Sequence, residues 1–267
     1  MKLVETLRSI YRIRGPVFLI WGQSFLPRIA MQSLKPLLLI VFALAYATTT
    51  SAQPLDNPTK IAPGGISLTV PPIKGFRFPT EQERSVVYAA IAPFILPKFR
   101  LLAALLSDAD IRLLSAGRIP TLEDYFILQI PRSVEDRVVS LRELQSLRRS
   151  MREQQEIQIS PTVRRQLAEA TEKIAGVKPR VDVTTPIPMG VFEDTERSIG
   201  ATFLTRYRVE ANEARSDELM LSVIAVTVVR GKFLSLNGTC TFHSIADVSR
   251  CNSLVKAWLS GLHAANP

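Results

Sequence analysis

The chain is poor in the residues from which most recognisable active sites are built. It has two histidines, His243 and His263, and two cysteines, Cys240 and Cys251. The cysteines and His243 show no recognised ligand spacing, so no zinc centre is indicated and no metal ligands are assigned. No glycine-rich phosphate loop, strand-to-helix serine elbow, zinc signature or calcium loop occurs, and no cofactor is expected. The apolar run at residues 37–47 has eleven residues, short of the ~20 that cross a bilayer as a helix. Nor is there an internal repeat of the kind that solenoids and propellers require.

Acidic balance is also missing, since the net charge is +9. Its distribution argues against a nucleic-acid partner, because the first 52 residues carry six basic residues against Glu5 and so hold five of the nine charges. The remaining basic residues are interleaved with acids, as in "SLRRSMREQQE", the pattern of a solvated helix face. What the chain does have is an ordinary globular composition, 46% hydrophobic and 21% charged over 267 residues. That is enough to bury the core of one domain once the N-terminal part is set aside.

That N-terminal part reads as an address. Lys35 precedes the apolar run, and "TTTSAQ" follows it, giving the positive start, apolar centre and small residues of a secretory signal. Thr50 and Ala52 take the two small-residue positions, which places cleavage between Ala52 and Gln53. Met31 opens a signal of normal proportions at residues 31–52, so residues 1–30 are read as lying upstream of the true start. The expected location is periplasmic or secreted, with transient membrane contact through the signal. An inner-membrane anchor through an uncleaved 37–52 segment is the alternative. No cysteine lies near the cut, which excludes lipid attachment there.

Six prolines and three glycines between residues 53 and 80 prevent a continuous helix. Residues 53–65 are expected to be a linker, and residues 66–267 a single α+β domain. "ISLTV" suits a short edge strand. "TEQERSVVYAAIAPF" suits a helix with Thr80 as N-cap and Glu83 completing a capping box. "FRLLAALLS" is a buried strand or a helix, and "YFILQIP" a buried strand. Val138, Leu141, Leu144, Leu147 and Met151 form a helical stripe. A second helix is expected over 160–176, with Ser160 as its cap and Val163, Leu167, Ala170 and Ile174 on one face.

The last third changes period. In "SIGATFLTRYRV" Ile199, Ala201, Phe203, Thr205 and Tyr207 share one strand face. "LMLSVIAVTVV" is apolar on both faces, as a central strand is. Arg230 and Gly231 supply a tight hairpin turn into "KFLSLNGTCTF". "IADVSRCNSLVKAWLSGL" is a helix capped by Ser244 with Asp247. Strands in a meander with helices before and after imply a central antiparallel sheet packed by helices.

Period two places Leu234, Leu236, Gly238, Cys240 and Phe242 on one strand face. Period 3.6 places Cys251, Val255, Trp258, Leu259 and Leu262 on one helix face. If the helix folds back on the strand, both sulfurs enter the same layer, and an oxidising compartment would join Cys240 to Cys251. Two buried free thiols are the alternative.

Catalytic residues are not identifiable. His243, Ser244 and Asp247 are too close in sequence for a nucleophilic triad, and the last two serve better as caps. His263 is expected to be solvated at a fraying terminus. Asn237, in "NGT", matches a glycosylation acceptor but lies in a strand, where Gly238 suggests a bulge. "SDAD" and "FEDTE" read as solvated loops. The alternative function is a periplasmic enzyme using carboxylates, for example Asp108 or Asp110 brought by folding to Glu193 or Asp194.

"MGVFEDTERSIGATFLTRYRV", "VVRGKFLSLN" and the closing "CNSLVKAWLSGLHAANP" resemble a group of exported bacterial proteins of uncharacterised function. The resemblance implies a fold similar to the extrinsic PsbP-type subunit of photosystem II, a central antiparallel sheet between helical layers. It carries packing motifs and no catalytic residues. The expected function is a non-catalytic envelope binding or scaffold module, with an envelope protein or a small ligand as partner.

Overall fold

A computed structural model describes residues 57–92, 95–118, 120, 122–153, 165, 169, 180–211 and 214–267. The signal at 31–52, its cut at Ala52 and Gln53, and residues 1–30 lie outside the described residues. So does the helix expected over 160–176, apart from 165 and 169.

The chain runs β1 (Thr59–Ile61), β2 (Leu68–Val70), α1 (Glu81–Ile91), β3 (Phe99–Leu106), α2 (Asp108–Ser115), β4 (Asp124–Pro131), α3 (Leu141–Glu153), β5 (Arg180–Val183), β6 (Ile187–Asp194), β7 (Ser198–Ala211), β8 (Ala214–Val229), β9 (Lys232–Thr241) and α4 (Ile245–Ala264). Strands β3 to β9 form one antiparallel sheet of order β3-β4-β9-β8-β7, with β5 and β6 each pairing β7. The fold is therefore α+β, an antiparallel sheet packed by helices, as the sequence predicts. β1 and β2 form a separate two-stranded sheet, so residues 59–65 are not linker. β1 and a 3-10 turn at Pro63–Gly65 occupy them, with Gly64 and Gly65 in the positive-φ conformations that glycine permits.

The helix starts follow local chemistry. The Glu83 carboxylate accepts from Thr80 N at 2.8 Å, closing the capping box of α1. Ser140 and Glu143 exchange the equivalent bonds ahead of α3. Of the stripe expected there, Leu144 and Leu147 are buried, whereas Leu141 is exposed and Val138 precedes the helix, 74% exposed. "SDAD" is not a loop. Asp108 and Asp110 open α2, and Ser107 accepts from Asp110 N at its N-cap, where acidic residues complement the helix dipole.

One sheet face is covered by α4. Leu234, Leu236 and Cys240 of β9, Leu221, Val223 and Ala225 of β8, and Phe126, Leu128 and Ile130 of β4 meet Cys251, Val255, Trp258, Leu259 and Leu262. Full burial of such side chains contributes about 1.5–3 kcal/mol each. Gly238 lies between them with unbroken register to both β4 and β8, so no bulge forms there. Glycine is needed for another reason: a Cβ would fall 2.7 Å from the Phe126 ring and 3.1 Å from Val255. Phe126 packs edge-on against Phe76 and Trp258, at 4.8 and 6.4 Å between ring centroids.

The opposite face receives α1 and α2, whose Val87, Ile91, Ile111 and Leu114 cover Ala104, Leu106, Tyr125 and Ile127. Beyond them the same face buries Gln129, Ser222, Ser235, Asn237 and Thr239. The β8–β9 hairpin turns at Arg230 and Gly231, both at positive φ, as a two-residue turn of this hand requires.

Asn266, within the "AANP" motif, holds the two ends of the domain together. Its Oδ1 accepts from Thr69 N at 2.8 Å and its Nδ2 donates to Thr69 O at 2.7 Å and Leu262 O at 2.7 Å. The carboxamide thus stands in for a strand residue along the outer edge of β2. Trp258 Nε1 donates to Pro71 O at 2.9 Å beside it.

Candidate functional site

Three clusters of polar side chains invite a functional reading, and two are consumed by structure. At the β9–α4 corner, Asp247 accepts from His243 N at 3.0 Å and Ser244 N at 2.9 Å. These backbone bonds, with help from Arg250, hold its pKa below the usual carboxylate range. Ser244 and Asp247 cap α4 and make no triad with the His243 ring.

The second cluster gathers at the β6–β7 turn. His263 is half-buried, with Nε2 2.9 Å from Thr227 Oγ1, so it is not solvated at a frayed end. Burial, and then Arg197, lower its pKa. Thr227 Oγ1 donates its one proton to Arg197 O at 2.8 Å. His263 Nε2 must therefore carry a proton and donate to Thr227, which removes it as a base toward that hydroxyl. Glu193 accepts from Ser198 Oγ at 3.4 Å, and Arg148 Nε donates to Asp194 at 3.0 Å.

The carboxylates proposed as a hydrolytic pair are not brought together. Asp108 and Asp110 follow β3, the first strand of the sheet, whereas Glu193 and Asp194 end β6, on the far side of β7. Asp108 bonds Arg77 Nε at 2.8 Å and also pairs with Arg112. Buried Asp110 accepts from Ser107 Oγ at 2.7 Å and Leu122 N at 3.1 Å. Arg77 is the hub of this region, forking onto Glu83 at 2.7 and 2.9 Å and holding that carboxyl down at about 2. Among the described residues, no group of three or more His, Cys, Asp and Glu is placed to hold a metal ion.

Cys240 and Cys251 lie within bonding distance, their Cα atoms 6.4 Å apart, on the facing surfaces of β9 and α4. They are fully buried in the α4-side core and serve packing. Asn237 is 5% exposed and donates to Ser235 Oγ at 3.2 Å, so its amide faces the interior.

The third cluster is open. A cleft of about 230 Å³ runs between β1, α1 and the start of β3. Ile61, Phe78, Leu101 and Leu102 give it apolar walls, and Lys60, Arg84 and Arg100 bring three cations to it without a lining carboxylate. Arg84 bonds Glu81 at 2.9 Å and Arg100 pairs with Glu135, both acids lying outside the lining. Tyr88 OH donates to Leu102 O at 3.3 Å and fixes the side of α1 that faces the cleft. Sequence inspection does not find this site, because its cations come from a strand, a helix and another strand, none of which forms a recognisable motif.

No family model matches the chain, and no curated protein matches it. Among solved structures, the chain is similar to that of the Saccharomyces cerevisiae Ran-binding protein Mog1p, with 11% identity and a TM-score of 0.30, over 79% of this chain and 94% of that one.

Proposed function

We propose that the chain is an exported cell-envelope protein working as a non-catalytic binding module, with the β1–α1–β3 cleft as its binding surface. The observation that carries this reading is the unequal use of charge. The histidine and carboxylate clusters outside the cleft are spent on caps and ion pairs, whereas the cleft lining collects three cations and no acid, with Arg84 and Arg100 paired to acids outside it and Lys60 in no ion pair among the described residues. Export is supported by the layout of residues 31–52, and the disulfide-capable pair on β9 and α4 suits an oxidising compartment. The resemblance to exported proteins with a PsbP-like fold carries packing motifs and no catalytic residues, which suits a binding module.

Two measurements test this. The intact mass of protein recovered from the envelope fraction should begin at Gln53, with thiol alkylation only after reduction. A photo-crosslinking residue at position 60 or 84 should give a defined adduct in cells, and one at exposed Lys256 on α4 should not. Equal labelling at all three positions, or none, refutes the cleft as a binding surface. A mass retaining residues 31–52 with both thiols free refutes cleavage and oxidation.

A further inference from the structure

We infer that the cleft takes an extended acidic peptide segment as an added strand on the outer edge of β1, an inference that rests on the cleft being the binding surface. The first ground is backbone direction. In an antiparallel pair, opposed residues either bond each other or both turn away. Thr69 is opposed to Lys60, and both backbone groups of Thr69 bond the Asn266 carboxamide. Thr69 therefore turns away from β1, and Lys60 turns its own N–H and C=O away from β2, toward the cleft. An incoming strand can use that donor and acceptor together, as in recognition by β-augmentation.

The neighbouring edges are partly occupied. β2 is covered by Asn266. At one end of β3, Arg77 and Leu106 exchange backbone bonds at 3.0 and 3.2 Å, and the Leu102 carbonyl is taken by Tyr88. The edge of β1 is three residues long, so the strand added there is short.

The second ground is charge complementarity. Among the described residues, Lys60 has no ion pair, and Arg100 Nε is buried with no hydrogen-bond partner. A carboxylate on the added segment would answer Lys60 and the exposed part of the Arg100 guanidinium, while its alternate side chains rest on Ile61, Leu101 and Phe78.

The experiment uses the mature chain and a labelled six-residue peptide alternating valine and glutamate, blocked at both ends and followed by fluorescence anisotropy. Replacing glutamate with glutamine should weaken binding about tenfold or more, since a charge-assisted bond contributes about 1.5–3 kcal/mol. N-methylation at alternate residues should abolish it. Lys60→Ala should weaken binding a few-fold, and Lys60→Pro should abolish it. The Lys60 N–H faces away from β2, so proline leaves the β1–β2 pairing intact. Binding of the N-methylated peptide, or equal affinity of Lys60→Pro and Lys60→Ala, overturns strand addition. Full competition by inorganic phosphate shows a plain anion site and also overturns it. No peptide binding together with a specific adduct at position 60 sinks this inference and leaves the proposed function standing; absence of both sinks the two together.

Discussion

Strand β9 is buried on both faces, but its two sides are made of different chemistry. Toward α4 it presents Leu234, Leu236, Gly238 and Cys240, a surface close-packed against Trp258 and Val255. Toward the other side it presents Ser235, Asn237 and Thr239, with Gln129 and Ser222 on the flanking strands. The comparison separates two meanings of burial. Apolar burial stabilises in proportion to the area removed from water, whereas a buried amide stabilises only if its bonds are made. Among the described residues, both atoms of the Gln129 carboxamide and Oδ1 of Asn237 lack a hydrogen-bond partner, so the α4 side should carry most of the stability.

The largest effect is expected from Trp258→Ala, at about 3–5 kcal/mol lost in urea unfolding, because it opens a cavity and frees the Pro71 carbonyl. A loss below about 1 kcal/mol would contradict the ranking of the faces. Replacing Cys240 and Cys251 together by alanine should cost about 3 kcal/mol in the oxidised protein, on the chain-entropy estimate for a loop this short. In the presence of reductant the wild type should fall toward the variant; insensitivity to reductant would indicate free thiols.

The α1–α2 side should contribute through ionisation as well as packing. The Glu83 pKa is lowered to about 2, first by its bonds to Arg77. A depressed folded value means that the contribution is complete above the unfolded pKa near 4.3 and is lost as pH falls toward 2. With Glu83 19% exposed, about 2 kcal/mol should disappear over that window. Arg77→Met should flatten that part of the pH–stability profile. The smallest and most diagnostic change is Gln129→Leu. It removes an unpartnered amide at nearly constant volume and should alter stability by less than about 1 kcal/mol or raise it, whereas Leu236→Asn on the other face of β9 should be strongly destabilising. Comparable losses from the two would erase the distinction.

Much of this contrast is legible in the sequence. Period two along β9 and period 3.6 along α4 place both cysteines in one layer, and the caps at Thr80 and Ser244 follow from spacing alone. The misreadings share a cause, since tertiary packing decides where local signals are weak. β1 is hidden among prolines because its pairing with β2 is held by Asn266, 197 residues away in sequence. α2 is eight residues long and starts with acids, so composition reads it as a loop. Gly238 looks like a bulge because nothing local reveals the Phe126 ring above it, and His263 looks solvated because Thr227 belongs to another element. The cleft is less legible still, since Lys60, Arg84 and Arg100 become neighbours only when β1, α1 and β3 are assembled.

The clasp between Asn266 and Thr69 also sets an order of assembly. A chain made from its N-terminus produces the β1–β2 hairpin early, yet nothing holds the outer edge of β2 until Asn266 has emerged. Contacts this distant form late, because their loop-closure entropy must be overcome before they contribute. The strand edge that faces the cleft is therefore expected to reach its final orientation late in folding.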